Sequence, residues 1–282
     1  MSFTLKTLIE TMEKNPALAG ADRLRQRLDM LDELDACLMR AGDASGPADV
    51  ALRHRAEAIR TQWEALNAAC YDFMRDEIRQ GVAPSGLLRW MKDAAFEPGD
   101  AYDFRDELLS GVLAFDEPDA GIAELPSEMV FYQPTPARHI VDMIERTGLG
   151  DGDVLVDLGS GLGHVPLLAA ICTGARCIGI ELEQAYVQAA QRCAQTLHLG
   201  RVRFVQQDAR VADVSEGTVF YLYTPFVGSV LSTVLDTLRQ EASARDIRIC
   251  TFGPCTATVA KQSWLKAVDP LKPGRIAVFR AS

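Results

Sequence analysis

Four short stretches hold residues able to do chemistry, and each follows an apolar run that reads as a strand. The first is Val154-Leu-Val-Asp-Leu-Gly-Ser-Gly-Leu-Gly-His164, in which a strand carrying Asp157 meets Gly159, Ser160, Gly161 and Gly163 before a helix opens near His164. Alternating glycines are needed where the backbone turns sharply and approaches a ligand more closely than a Cβ permits. The second is Gly179-Ile-Glu181, with Glu181 lying 22 residues beyond Gly159. A carboxylate at a strand tip can accept hydrogen bonds from both ribose hydroxyls of a nucleoside cofactor. Glu183 is a weaker substitute. The third is Gln207-Asp208-Ala209, closing Val202-Arg-Phe-Val-Gln, and the fourth is Tyr221-Leu-Tyr-Thr-Pro-Phe226. A dinucleotide fold of the G-x-G-x-x-G type needs its third glycine where His164 stands, which argues against a nicotinamide enzyme.

These stretches must be positioned by a parallel sheet. Beyond residue 135, strand candidates at Val154–Leu158, Cys177–Ile180, Val202–Val205, Val219–Tyr223, Ile247–Phe252 and Ile276–Phe279 alternate with helical stretches such as Val165–Ala170, Gln184–Leu197 and Val227–Glu241. That alternation is the pattern of an α/β sheet covered on both faces, and Pro270-Leu-Lys-Pro-Gly274 predicts a closing hairpin. The front of the chain is different. Leu52, Ala56, Ile59, Trp63, Leu66, Cys70 and Phe73 step by fours and threes along a helix of about Pro47 to Gln80. Asp22 to Arg40 carries a second such stripe, so an antiparallel helical hairpin is expected, with shorter helices at Ser85–Ala95 and Tyr102–Leu113. The long stripe serves either its own bundle or a homodimer.

The composition is that of a globular protein: 282 residues, 48% hydrophobic and 24% charged, which excludes wholesale disorder. The net charge of -10 is unevenly placed, with 14 basic and 25 acidic residues up to position 130 and 15 against 14 after it. An acidic front half argues against nucleic acid as a partner. From Asp93 to Glu128 eleven acids face only Arg105, marking a connector that either attracts a cationic acceptor or is merely solvated. The seven cysteines form no CxxC pair and sit at no metal-ligand spacing, so no metal is expected and the thiols read as reduced. No leader and no spanning apolar run is apparent, giving the expectation of a cytoplasmic protein without a membrane partner.

The wording D-x-G-x-G-x-G resembles motif I of the class I S-adenosylmethionine methyltransferases, and with a helical front domain it is similar to the non-SET lysine methyltransferases. The resemblance covers about residues 128–255. It implies a Rossmann-like domain with a seven-stranded mixed sheet, S-adenosyl-L-methionine as cofactor, and cofactor-binding roles for Asp157, Gly159, Ser160, Gly161, Gly163 and Glu181. Asp208 and Ala209 then take the adenine. Phe131-Tyr-Gln-Pro-Thr-Pro136 is similar to the F-Y-T-P segment that folds over the methionine end in amino-group methyltransferases, which brings in Tyr132 and Thr135, although Gln133 and Pro134 intervene. A plain helix start, with Thr135 as cap and Pro136 at the first position, reads equally from the residues. The segment Tyr223-Thr-Pro-Phe226 stands where those enzymes carry Asp/Asn-Pro-Pro-Tyr/Phe. By that likeness Tyr223 and Phe226 are the catalytic candidates, Tyr223 replacing the acid or amide and Phe226 walling the site.

Methyl transfer is an in-line displacement in which alignment and exclusion of water dominate, so no catalytic histidine is required. His139 and His164 read as packing or capping residues. The expectation is a helical N-terminal domain with its acidic connector over 1–127 and a methyltransferase domain over 128–282, acting on an amine-bearing, cationic acceptor such as a protein lysine or a small amine. A SAM-binding scaffold without activity is the competing reading, raised by the altered Tyr223-Thr-Pro-Phe226.

Overall fold

The computed structural model describes residues 4–42, 46–92, 96–115, 130 and 132–282. Its compact units are Met1–Arg75 and Asp76–Ser282.

The first unit is helical: α1 (Leu5–Glu13), α2 (Leu24–Ala41) and most of α3 (Pro47–Arg79). Leu8, Ile9, Leu34, Ala56, Ile59 and Trp63 form its core. Arg27 bonds Asn67 while Asp35, further along α2, pairs with Arg60, earlier on α3, so the hairpin is antiparallel as expected. Arg27 is wholly buried and donates to the carbonyls of Leu18 and Gly20, to Asn67 Oδ1 and to Cys70 Sγ, which satisfies a guanidinium placed among apolar side chains. The expected stripe fails at its end. Phe73 is 66% exposed, and Met74 and Ile78 are buried instead. A seven-residue stride lags a straight helix by about 20° per repeat, so three repeats from Leu52 rotate the stripe away from its own core.

The expected division at 127/128 does not coincide with the split between Arg75 and Asp76. The physical reason is that α4 (Ser85–Lys92) and α5 (Phe104–Leu113) pack on α6 (Ala137–Thr147) and so join the sheet. The stretch from Asp93 to Glu128 is only partly described, residues 93–95 and 116–129 lying outside. Its described part is structured by its acids: Asp103 caps α5 in a capping box with Asp106.

The second unit continues β1 (Val154–Leu158), α7 (His164–Thr173), β2 (Arg176–Glu181), α8 (Gln184–Thr196), β3 (Val202–Gln206), β4 (Val219–Tyr223), α9 (Gly228–Ala244), β5 (Arg248–Phe252), α10 (Cys255–Val259), β6 (Leu265–Ala267) and β7 (Ala277–Ala281). The seven strands lie in the order β3-β2-β1-β4-β5-β7-β6. Strands β1 to β5 are parallel, and β7 runs antiparallel to both β5 and β6, the closing hairpin. All five residues of β1 are buried, Asp157 among four aliphatic neighbours, as in a strand covered on both faces. On β4, Phe220 and Leu222 enter the main core while Tyr221 and Tyr223 face the other way. Strand order reverses between β1 and β4, the place where open α/β sheets hold ligands beyond their carboxyl ends. None of the seven cysteines, all among the described residues, is joined in a disulfide. Among the described residues, no helix is long and apolar enough to cross a membrane.

Candidate functional site

A cavity of about 870 Å³ opens at that reversal. One end is built by the glycine loop. Asp157 lies in register between Gly179 of β2 and Tyr221 of β4, and it is buried. Burial drives its carboxyl pKa well above the ordinary value, and the nearby charge of Glu181 adds to the shift. Past Asp157, the N–H groups of Gly159 and Ser160 both donate to Ile180 O, at 2.8 and 3.0 Å. Glu181 then clasps the loop to β2: Oε2 accepts Gly161 N–H at 2.8 Å, and Oε1 accepts the N–H groups of Leu182 and Glu183 at 2.7 and 2.9 Å. Three of a carboxylate's roughly four acceptor positions are thus used, leaving one for a ribose hydroxyl.

Two of the glycines are required by close approach. At Gly161, with φ +51°, an added Cβ would lie 1.9 Å from the Tyr132 ring. At Gly159, with φ +83°, it would lie 2.3 Å from Pro225 Cβ. Tyr132 therefore covers the loop; its hydroxyl meets His164 Nδ1 at 3.1 Å and its ring lies 5.0 Å from that of Tyr186. Burial raises the Tyr132 phenol and depresses the His164 imidazole to about 4, so His164 is neutral.

Thr135 turns inward rather than capping α6. Its hydroxyl meets that of Tyr221 at 3.0 Å, and the α6 N-terminus is capped instead by Asp106 Oδ1, which accepts Ala137 N–H at 2.7 Å. The other oxygen of Asp106 accepts Asp103 N–H at 2.7 Å, so one side chain serves two helices. Burial raises the Asp106 pKa against these bonds.

The other end of the cavity gathers Tyr223, Phe252, Asp100, Thr256, Leu271 and Lys272. Tyr223 and Phe252 are tilted with centroids 4.8 Å apart. The Tyr223 phenol is pushed up to about 12, by burial first and then by the proximity of Tyr102 and Asp100. Thr224 has a left-handed φ of +42°, held because its hydroxyl donates to Phe252 O at 3.1 Å and accepts Cys255 N–H at 3.0 Å.

Most sequence candidates are brought together: Tyr132, Thr135, Asp157, Gly159, Ser160, Glu181 and Tyr223 all line the cavity. Gly161 and Gly163 shape the loop beneath Tyr132 and against Phe204. Phe226 is a correction: it is buried in the main core with Leu222 and Val230 and does not wall the site. The left-handed turn at Thr224 carries the chain round into the layer opposite Tyr223. Asp208 and Ala209 stand beyond β3 but outside the cavity lining. Asp208 is engaged by Arg210 through Nε, Nη2 and the backbone N–H, which lowers its pKa, and Ala209 packs on the core. Phe131 lies outside the described residues. Sequence reasoning missed Tyr221 and Phe252, which alternate onto the cavity face of their strands; His164, read as a packing or capping residue, lines the cavity and meets Tyr132.

The residues fit S-adenosylmethionine. Ser160 Oγ is buried without a partner, and the carboxylates of Asp157, Glu181 and Glu183 face the cavity, suiting a ligand with a sulfonium and an ammonium. The family model "Histone methylation protein DOT1" matches residues 127–209, the stretch from the covering segment through the end of β3. Among solved structures, an RNA methyltransferase from Salinibacter ruber in complex with S-adenosyl-L-homocysteine is 30% identical, over 53% of this chain and 92% of its own, with a TM-score of 0.42. A SAM-dependent methyltransferase from Aquifex aeolicus is 14% identical over 50% and 88% (TM-score 0.42), and geranyl diphosphate C-methyltransferase from Streptomyces coelicolor 22% over 42% and 43% (TM-score 0.35). Comparison with curated proteins gives no match. With the match falling on the glycine loop and its covering segment, the chain belongs to the class I S-adenosylmethionine-dependent methyltransferases.

Proposed function

We propose that the methyl group goes to the nitrogen of a cationic amine, a protein lysine or a small amine. The observation that carries this reading is the aromatic wall that Tyr223 and Phe252 form in the cavity, with Asp100 beside it. Aromatic faces attract an alkylammonium and its methylated products. The family model's description, histone methylation, points the same way.

When bound, S-adenosylmethionine supplies a methyl group on a sulfonium, released by in-line displacement with the electron pair returning to sulfur. The chain's own residues align and dry the site. Asp157 and Glu181 offer acceptors at the cofactor end, and Tyr132 covers the loop. Tyr223, protonated throughout the neutral range, acts as a hydrogen-bonding group and not as a proton acceptor. An amine suits such a site because it can shed its proton to water before attack, whereas an alcohol would call for a stronger base.

The test is to incubate the protein with methyl-labelled S-adenosylmethionine and, separately, spermidine, a lysine-rich peptide and RNA. Stable N-methyl label on either amine is expected. Label confined to RNA, or to oxygen or carbon of an acceptor, would overturn the reading.

A further inference from the structure

We propose that Asp100 is the residue that receives the acceptor's ammonium group, a specificity determinant outside the methyltransferase motifs. The inference rests on the amine reading above. It starts from the acids of the front half. Asp103 is spent on capping α5 and pairing Arg105, and Asp106 on capping two helices. Asp100 lines the cavity, beside Tyr223.

The backbone around Asp100 is fixed to a degree unusual for a loop. The buried Arg138 donates Nη2 to Gly99 O at 2.8 Å and Nε to Glu97 O at 2.9 Å, and Nη1 reaches Ala101 O. His139 Nε2 meets Gly99 O at 2.6 Å. Gly99 N–H donates to Gly274 O at 2.8 Å, and an added Cβ at Gly274 would lie 2.5 Å from Gly99 N, so the two loops touch backbone to backbone. The residues on both sides of Asp100 are thereby pinned, while its own side chain is exposed at the cavity. A carboxylate held this way on fixed backbone, next to two aromatic rings, is preorganised for a cation.

The experiment uses the full chain saturated with S-adenosylhomocysteine and titrated by NMR with n-butylammonium and with neutral 1-butanol. Wild type should prefer n-butylammonium. Asp100→Asn should weaken n-butylammonium about tenfold, as loss of a charge-assisted hydrogen bond does, with 1-butanol and S-adenosylhomocysteine affinities unchanged. No preference in wild type, or equal weakening of both probes, would overturn the assignment. The labelled-methyl test separates the two levels: N-methylation with an acceptor KM unmoved by Asp100→Asn defeats only the role of Asp100, whereas label on oxygen or carbon defeats the amine reading itself.

Discussion

The two ends of the cavity are built in opposite ways. The cofactor end comes from consecutive strand tips and the segment just before them, so its parts lie within about fifty residues, Tyr132 to Glu181. The end proposed to take the acceptor is assembled from Asp100, Tyr223, Phe252 and Lys272, drawn from four separated loops and strand ends. The first depends on backbone geometry that admits almost no side-chain substitution. The second depends on side chains mounted on loops that other residues hold in place.

The sharpest way to break this contrast is at Gly161. Gly161→Ala drives a methyl group into Tyr132 and forces alanine into a left-handed conformation, which costs about 3 kcal/mol and weakens S-adenosylmethionine roughly a hundredfold by calorimetry. Unchanged affinity would mean that Tyr132 does not cover the loop in solution. Next comes Asp157→Asn. Burial holds the folded pKa above its unfolded value, so as the pH rises past the unfolded value the unfolded chain releases a proton that the folded carboxyl keeps, and stability falls. At neutral pH the variant should therefore melt higher than wild type while binding the cofactor about tenfold to a hundredfold more weakly. A lower melting temperature would contradict a burial cost on the Asp157 carboxyl.

At the acceptor end, Phe252→Leu removes one face of the aromatic wall. The expected outcome is a few-fold rise in acceptor KM with cofactor affinity retained, consistent with a cation–π contribution of about 1 kcal/mol. A matching loss of cofactor affinity would show that the two ends are not separable. The smallest effect at neutral pH concerns His164. Its folded pKa of about 4 lies below the unfolded 6.5, so between those values the unfolded chain takes up a proton that the folded chain refuses. Stability should be unaffected above pH 6.5 and fall as the pH drops toward 4. In His164→Asn this part of the acid slope should be missing; identical melting curves against pH would exclude His164 as the group responsible.

The same contrast explains what could be read from the sequence. Asp157, the three glycines and Glu181 were legible because backbone approach demands particular residues at fixed spacing, and the sheet followed from short, largely apolar runs alternating with helical stretches. Phe226 was misplaced because the left-handed φ of Thr224 follows from its bonds to Phe252 and Cys255, which lie well beyond Tyr223-Thr-Pro-Phe226. Thr135 reads as a cap because nothing near it reveals that Asp106, 29 residues upstream, takes that place. Asp208 followed the expected order of strand tips, but its neighbour Arg210 captures it. The acids of 93–128 appeared as one charged run, whereas the fold gives Asp100, Asp103 and Asp106 separate tasks.

Helix α6 begins where the segment carrying Tyr132 and Thr135 ends, and its first turn supplies Arg138 and His139, which grip Gly99 and Ala101. A single rigid rod thus carries the cover of one ligand and the latch of the other. Whatever settles the cover also settles the latch, so occupancy of the cofactor end should tighten the acceptor end, and by thermodynamic reciprocity the acceptor should strengthen the cofactor by the same factor.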